Sequence, residues 1–344
     1  MKEIIIHHEK NSYTYYPASK TGDFAPTTLE NSIFAFGNTS EVFLALNENG
    51  DRFLIKRYKE GYSAPEKFDK IATDIKAVFN GQNSNYVMNE LYVGWDDSGR
   101  KCKVFEYRAG KVLEMIKPEE ESLFKIESRQ KLAEVLQRYC SFLESLKIFH
   151  EAGYLHCDVK LENIFSFRLN ETIISQPIDL DNVQSIENLI DDIKSEKLNS
   201  ITIKFPTSVN YYSTEDIKTL CRLKDNETEL RRCIRILDTT AAVIMLNVML
   251  FGNLDYTRIP EKDLKYWDQD EAMQSALSKF IVKGAVNEFT ERFATVDEMR
   301  EQMSDILKLV SDDLPKTIRN AKQLAIGQNN YIKYRKNIYR KNHD

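Results

Sequence analysis

The hydrophobic pattern changes period once, near residue 120, and that change limits the folds open to the chain. Before it, apolar residues come in short runs, at 32–36, 42–46 and 52–58, which read as strands. Asn49-Gly50-Asp51 between the second and third is a hairpin turn. Two more strands are expected at 86–95 and 103–107, joined by the turn Asp97-Ser98-Gly99. One helix interrupts them over 65–79, where Phe68, Ile71, Ile75 and Val78 recur at spacings of three and four and Pro65 suits the first turn. After residue 120 the period is helical. The segment 128–153 places Leu132, Leu136, Cys140, Leu143 and Leu146 on one face, and further helices are expected at 215–222, 227–252, 269–281 and 295–310. The expected class is α+β, with a small antiparallel sheet carrying one helix, followed by a larger, mainly helical half.

A chain of 344 residues is long for one average domain and suits two lobes. Hydrophobic residues at 42% and charged residues at 29% make an ordinary globular mixture. The net charge of −5 argues against nucleic acid as a partner. Cys102, Cys140, Cys157, Cys221 and Cys233 are odd in number and none forms a C-x-x-C pair, which argues against a zinc site or disulfide framework and for a reducing, cytoplasmic setting. Ile4 to Ile6 are too few for a signal-peptide core. The stretch Ala241 to Phe251 is too short for a membrane span and reads as a buried helix.

The chemistry concentrates in His156-Cys157-Asp158-Val159-Lys160-Leu161-Glu162-Asn163, with Asp179 following sixteen residues later in Pro177-Ile178-Asp179-Leu180-Asp181. A lone Asp or Asn at such places is commonly a helix cap. The full set, in this order and spacing, resembles the catalytic loop H-R-D-x-x-x-x-N and the D-F-G motif of the protein-kinase family. His150-Glu151-Ala152-Gly153-Tyr154-Leu155 is similar to the family's approach to that loop. The resemblance covers about residues 28–310 and implies a bilobal fold, with an extension at 1–27, a first lobe at 28–108, a second at 109–310 and a basic tail at 311–344.

It also implies roles. Phosphoryl transfer asks for positioning and charge neutralisation. Asp158 stands where the family orients the acceptor hydroxyl and takes its proton, and Lys160 where the γ-phosphate is neutralised. Asn163 and Asp179 match the oxygen ligands of Mg²⁺. Ala35-Phe36-Gly37-Asn38-Thr39-Ser40-Glu41-Val42 matches the phosphate loop G-x-G-x-x-G-x-V with only Gly37 kept, so Ala35, Gly37, Ser40 and Val42 are expected around ATP. Alone, that stretch is no more than a hairpin turn. Lys56, in Phe53-Leu54-Ile55-Lys56, is similar to the V-A-I-K lysine, which needs anionic partners amid apolar strand residues. Its expected carboxylate is Asp74, with Glu66 and Asp69 as alternatives on the same helix. Val104-Phe105-Glu106-Tyr107 looks like the hinge, with Glu106 and Tyr107 against adenine and Phe105 behind it. Glu215 is matched to the last residue of A-P-E and paired with Arg292, and Asp238 to the family's Asp that holds the catalytic-loop backbone.

Three departures stand out. Cys157 replaces the Arg of H-R-D, which implies that phosphorylation at Thr202, Thr207 or Ser208 is not the main switch. Asp181 replaces the Gly of D-F-G, stiffening that loop. Ala35 and Ser40 replace phosphate-loop glycines. The polar stretch 224–229 reads as a solvated loop or a docking insert, and the basic tail as a solvated helix or a contact for an acidic partner.

The expected activity is transfer of the ATP γ-phosphate to serine or threonine hydroxyls of a protein substrate, with ATP and Mg²⁺ required. Lys160 favours Ser/Thr over Tyr. A pseudokinase scaffold and a small-molecule phosphotransferase are the alternatives. The joint presence of Lys56, Asp158, Asn163 and Asp179 counts against the first, and Lys160 with the later Glu215–Arg292 pair against the second.

Overall fold

The computed structural model describes residues 3–19, 25–36, 39–62, 71, 73–75, 77, 86, 88, 90–113, 129–195, 213–251 and 271–311. The chain is mixed α/β. Its strand-rich first part contains β1 (Ile4–His8), β2 (Asn11–Pro17), the short helix α1 (Leu29–Ser32), β3 (Ile33–Phe36), β4 (Ser40–Leu46), β5 (Arg52–Tyr58), β6 (Glu90–Asp96) and β7 (Lys101–Glu106). Every pairing is antiparallel, in the order β2-β1-β6-β7-β5-β4-β3. A further pairing of β2 with β4 closes six of these strands into a barrel.

The expected strands are present, with Gly50 and Gly99 turning their hairpins at φ +81° and +75°, where a side chain would be strained. The segment 1–27, expected to stand apart, instead supplies β1 and β2 to this sheet. Ile4, Ile6 and Tyr15 turn inward onto Phe43, Ile55 and Val104, with Ile5 between them less buried, the alternation of a strand with one face on the core. Of the expected helix at 65–79, residues 71, 73–75 and 77 are helical, and Ile71 and Ile75 pack on Tyr58, Phe149 and Tyr154. Pro65, Glu66 and Asp69 lie outside the described residues.

The second part is built on α2 (Arg129–Glu151) and five later helices, α3 (Ile186–Lys194), α4 (Thr214–Arg222), α5 (Glu227–Cys233), α6 (Ile236–Phe251) and α7 (Glu271–Ile281), with α8 (Val296–Ser311) returning against α2. It is less purely helical than its period implied. Between α2 and α3 lie β9 (Tyr154–Leu155), the hairpin of β10 (Ile164–Leu169) and β11 (Thr172–Pro177), and β12 (Gln184–Ser185) paired with β9. Asn170 takes φ +55° at the hairpin turn. The strand β8 (Gly110–Val112) joins β10, so the chain leaves β7 and enters the second part within four residues.

One expected helix, 227–252, is two. Asn226 caps α5 by accepting from the Glu229 amide at 3.2 Å, and Glu227 pairs with Lys194 at 2.7 Å, so the polar stretch 224–229 is a turn and a capped first helical turn. Within the stretch Glu227–Leu250, an 18-residue window is apolar enough to cross a membrane by composition, yet 94% of that window is buried inside the protein. It is the central helical element of the core, as Ala241 to Phe251 foretold.

Candidate phosphotransfer site

The loop between β9 and β10 is fixed from beneath by one carboxylate. Asp238, fully buried in the first turn of α6, accepts from the backbone amides of His156 at 2.7 Å and Cys157 at 3.0 Å. The ring of His150, at the end of α2, lies 3.2 Å from the same carboxylate. Burial alone would raise the Asp238 carboxyl. The His150 and His156 rings with the backbone amides outweigh it, and the group sits below the usual carboxylate range. Asp238 therefore holds backbone, the role read for it, and is not a helix N-cap.

That loop presents Asp158. Its carboxylate Oδ2 accepts from Asn163 Nδ2 at 2.8 Å and Asn182 Nδ2 at 3.0 Å, and lies 3.0 Å from Lys160 Nζ. Asn163 Nδ2 also donates to the Asp158 carbonyl at 2.9 Å. His156 completes the frame through a neutral ring. Its Nδ1 accepts the Asp158 amide at 3.3 Å, so its Nε2–H faces the carbonyl of Ile178, also at 3.3 Å. Ile178 in turn donates its amide to the Asn163 carbonyl at 2.8 Å, and Asp179 is the next residue. Asp158, Asn163 and Asp179 thus flank one buried imidazole.

Two residues of this frame have left-handed backbones, Cys157 at φ +60° and Asp179 at φ +61°, ψ +77°. Such conformations raise the energy of a side-chain-bearing residue by about 1–3 kcal/mol each and persist where surrounding structure dictates them. Asp181 does not have positive φ, so the position matched to the D-F-G glycine requires none here.

Lys56 joins the two parts of the chain. On β5 it pairs with Val42 on one side and Lys103 on the other. Its ammonium reaches Asp179 Oδ1 at 2.8 Å and Asp181 Oδ2 at 3.0 Å. Burial would lower its pKa, but Asp179 and Asp181 more than reverse that, so the ammonium stays charged. Asp179 is likewise pushed up by burial and pulled below its ordinary value by Lys56. Tyr58, two residues along the same face of β5, donates its hydroxyl to Asp181 Oδ1 at 3.1 Å.

Two expected pairings are replaced. Asp74 accepts a short hydrogen bond from the Tyr154 hydroxyl and makes no ion pair with Lys56 among the described residues. Arg292 pairs with Asp216 at 2.8 Å, whereas Glu215 faces outward to Lys218 and Arg222. The cause in α4 is helical geometry, because adjacent residues point about 100° apart and only Asp216 shares the inward side with Ile217 and Leu220. Asp181 was singled out in the sequence only as a lost glycine, and nothing local marked it as a partner of Lys56.

Of the expected ATP-contacting residues, Ser40 and Val42 lie on β4, with Ser40 opposite Tyr58 and Val42 opposite Lys56. Ala35 pairs with Val42 from β3. Gly37 lies outside the described residues, as do Thr202, Thr207, Ser208 and the tail from 312. Val42, Phe105 and Tyr107 gather with Ala18, Leu44 and Leu54 in one apolar cluster next to Lys56, and Glu106 and Tyr107 follow directly on Phe105 at the exit from β7.

The donor set suits a hard cation beside phosphate. Asn163 commits its amide nitrogen to Asp158, leaving its carbonyl oxygen for a metal, and Asp179 offers a carboxylate. Lys56 and Lys160 against Asp158, Asp179 and Asp181 leave the cluster one negative charge in excess, which a divalent cation offsets.

No protein-family model and no curated protein sequence matches the chain. Its fold does match solved structures. One, the crystal structure of the BubR1 kinase domain, aligns with a TM-score of 0.57 over 89% of this chain and 85% of that one, at 13% identity. At that identity the likeness speaks for a kinase-like fold alone.

Proposed function

We propose that the chain is an ATP- and Mg²⁺-dependent protein kinase of bilobal build, transferring the γ-phosphoryl group to serine or threonine hydroxyls of a protein substrate. The observation that carries the reading is the 2.8 Å contact between Lys56 and Asp179. It brings a strand lysine and a loop carboxylate, 123 residues apart, to one point beside the Asp158–Asn163 pair.

The geometry supports the following roles. Asn163 and Asp179 would hold Mg²⁺, which would supply charge neutralisation at the phosphates. Lys56 would hold the phosphates against the sheet part. The apolar cluster of Val42, Phe105 and Tyr107 would receive the adenine, with the backbone at Glu106 and Tyr107 reading its edge. Asp158 would orient the acceptor hydroxyl and accept its proton at the carboxylate. Its position is fixed by Asn163 and Asn182, and Lys160, 3.0 Å away, is placed to neutralise the transferring group. Five free cysteines, three of them buried, fit a reducing cytoplasmic setting.

A second reading, a nucleotide-binding pseudokinase, draws on one observation. Lys56 is already satisfied by two carboxylates, so the site has a stable arrangement without phosphate.

Incubation with labelled ATP and Mg²⁺ separates these readings. Label should pass to the protein itself or to generic protein substrates, and not to small alcohols. Asp158→Asn should lower that transfer by about three orders of magnitude or more while nucleotide still binds. Equal inertness of both proteins, with nucleotide bound, would establish the pseudokinase. Labelled small alcohols would establish the small-molecule enzyme.

A further inference from the structure

We infer that Asp181 is the positioning residue for Lys56, taking the part expected of Asp74. The inference rests on the phosphotransfer reading above and assigns this chain's own means of placing its phosphate-binding lysine.

Two carboxylates meet the Lys56 ammonium, and their surroundings divide their tasks. The Asp179 side chain is 42% exposed and that of Asp181 is 13% exposed. Asp179 is thus the one turned toward arriving solutes. Asp181 is the one turned into the protein, and both of its oxygens are engaged there. Oδ2 meets Lys56 at 3.0 Å and Oδ1 accepts from Tyr58 at 3.1 Å. Tyr58 is 1% exposed and packs with Ile71, Ile75 and Val183, so its hydroxyl is a fixed donor. Strand β5 therefore grips Asp181 twice on one face, through Lys56 and Tyr58. Asp74 is committed to Tyr154 instead.

The consequence concerns the metal. With Asp179 engaged by a divalent cation, its hold on Lys56 would weaken, and Asp181 would keep the ammonium in place. Without Asp181, Lys56 has Asp179 as its remaining carboxylate among these contacts, and the cation must displace an ammonium from its own ligand.

The test is equilibrium binding of a fluorescent ATP analogue, titrated with Mg²⁺ on the full chain. Asp181→Asn should raise the Mg²⁺ concentration at half-maximal binding about tenfold or more, the usual effect of removing a partner that orients a ligand. Tyr58→Phe should raise it by a smaller factor, and Asp181→Glu should recover part of the loss. A folded Asp181→Asn protein with the wild-type midpoint would overturn the inference. Were that variant not to fold, an unchanged midpoint in Tyr58→Phe would overturn it and a raised one would support it. If the wild-type chain binds no analogue at any Mg²⁺ concentration, the phosphotransfer reading falls and this inference with it.

Discussion

The Arg292 guanidinium donates to the carboxylate of Asp216 at 2.8 Å, and both side chains are nearly buried. Burial pushes the Asp216 carboxyl above its usual range even with Arg292 beside it, so the pair fixes the seating of α4 more than it stores stability. Removing one partner still leaves the other charge stranded. Asp216→Ala should lower the unfolding free energy by about 3 kcal/mol. Glu215→Ala, on the solvent side of the same helix, should change it by no more than about 0.5 kcal/mol. Urea unfolding of the two variants measures the difference, and a larger effect at Glu215 would restore the pairing expected from the sequence.

Asp238 carries the backbone of the Asp158 loop. Asp238→Ala orphans two buried amides, each worth about 1–3 kcal/mol when unsatisfied. The expected result is marked destabilisation together with faster hydrogen exchange at the His156 and Cys157 amides, read residue by residue. Unchanged protection at both would show that the loop is held by other means.

His156 gives the fold an acid limit. Burial pushes its imidazole below the ordinary value of 6.5, and its Nδ1 is an acceptor that protonation would turn into a donor facing the Asp158 amide. The unfolded chain therefore binds the proton first as pH falls. Stability should be flat in this group above pH 6.5 and decline below it, down to the depressed folded value. The contribution is at most about 1.4 kcal/mol per pH unit. Unfolding free energies from about pH 7.5 to about pH 5.5 measure the slope. His156→Gln should flatten it, and an equal slope in that variant would move the effect to another group.

The place of Cys157 does not accept the arginine that the similar kinase motif carries. The Cys157 side chain is fully buried in the core on a left-handed backbone. Cys157→Arg would drive a guanidinium into the core and should destabilise the protein by about 3 kcal/mol or more, if it folds at all. A stable Cys157→Arg protein in thermal melts would mean that the loop has room the structure does not show.

Residue order made the centre of the site legible. The spacing from His156 to Asp179 is set by the loop and the β10–β11 hairpin that must fold between them, so local sequence carried it. Lys56 was legible because an ammonium amid apolar strand residues demands an anion. What sequence did not carry was the choice among neighbouring acids. Glu215 and Asp216 differ by one position, and only packing decides which faces inward. Asp74 and Asp181 are both plausible partners for Lys56, and the tertiary arrangement of Tyr58 and Tyr154 decides between them. The β1–β2 hairpin is local, but its place in the sheet is set by pairing to β6 and β4, which no local pattern carries.

That hairpin seals the rim. β1 pairs with β6 at Trp95 and Asp96, and β2 with β4 at Ala45 and Leu46, so one end of each neighbour has its amides and carbonyls met. A shortened protein beginning at residue 28, where the family resemblance begins, would uncover two sticky borders at once and bare Phe43, Ile55 and Val104 to water. A chain lacking β1 and β2 should therefore self-associate more readily than the full one, which light scattering of the two would measure.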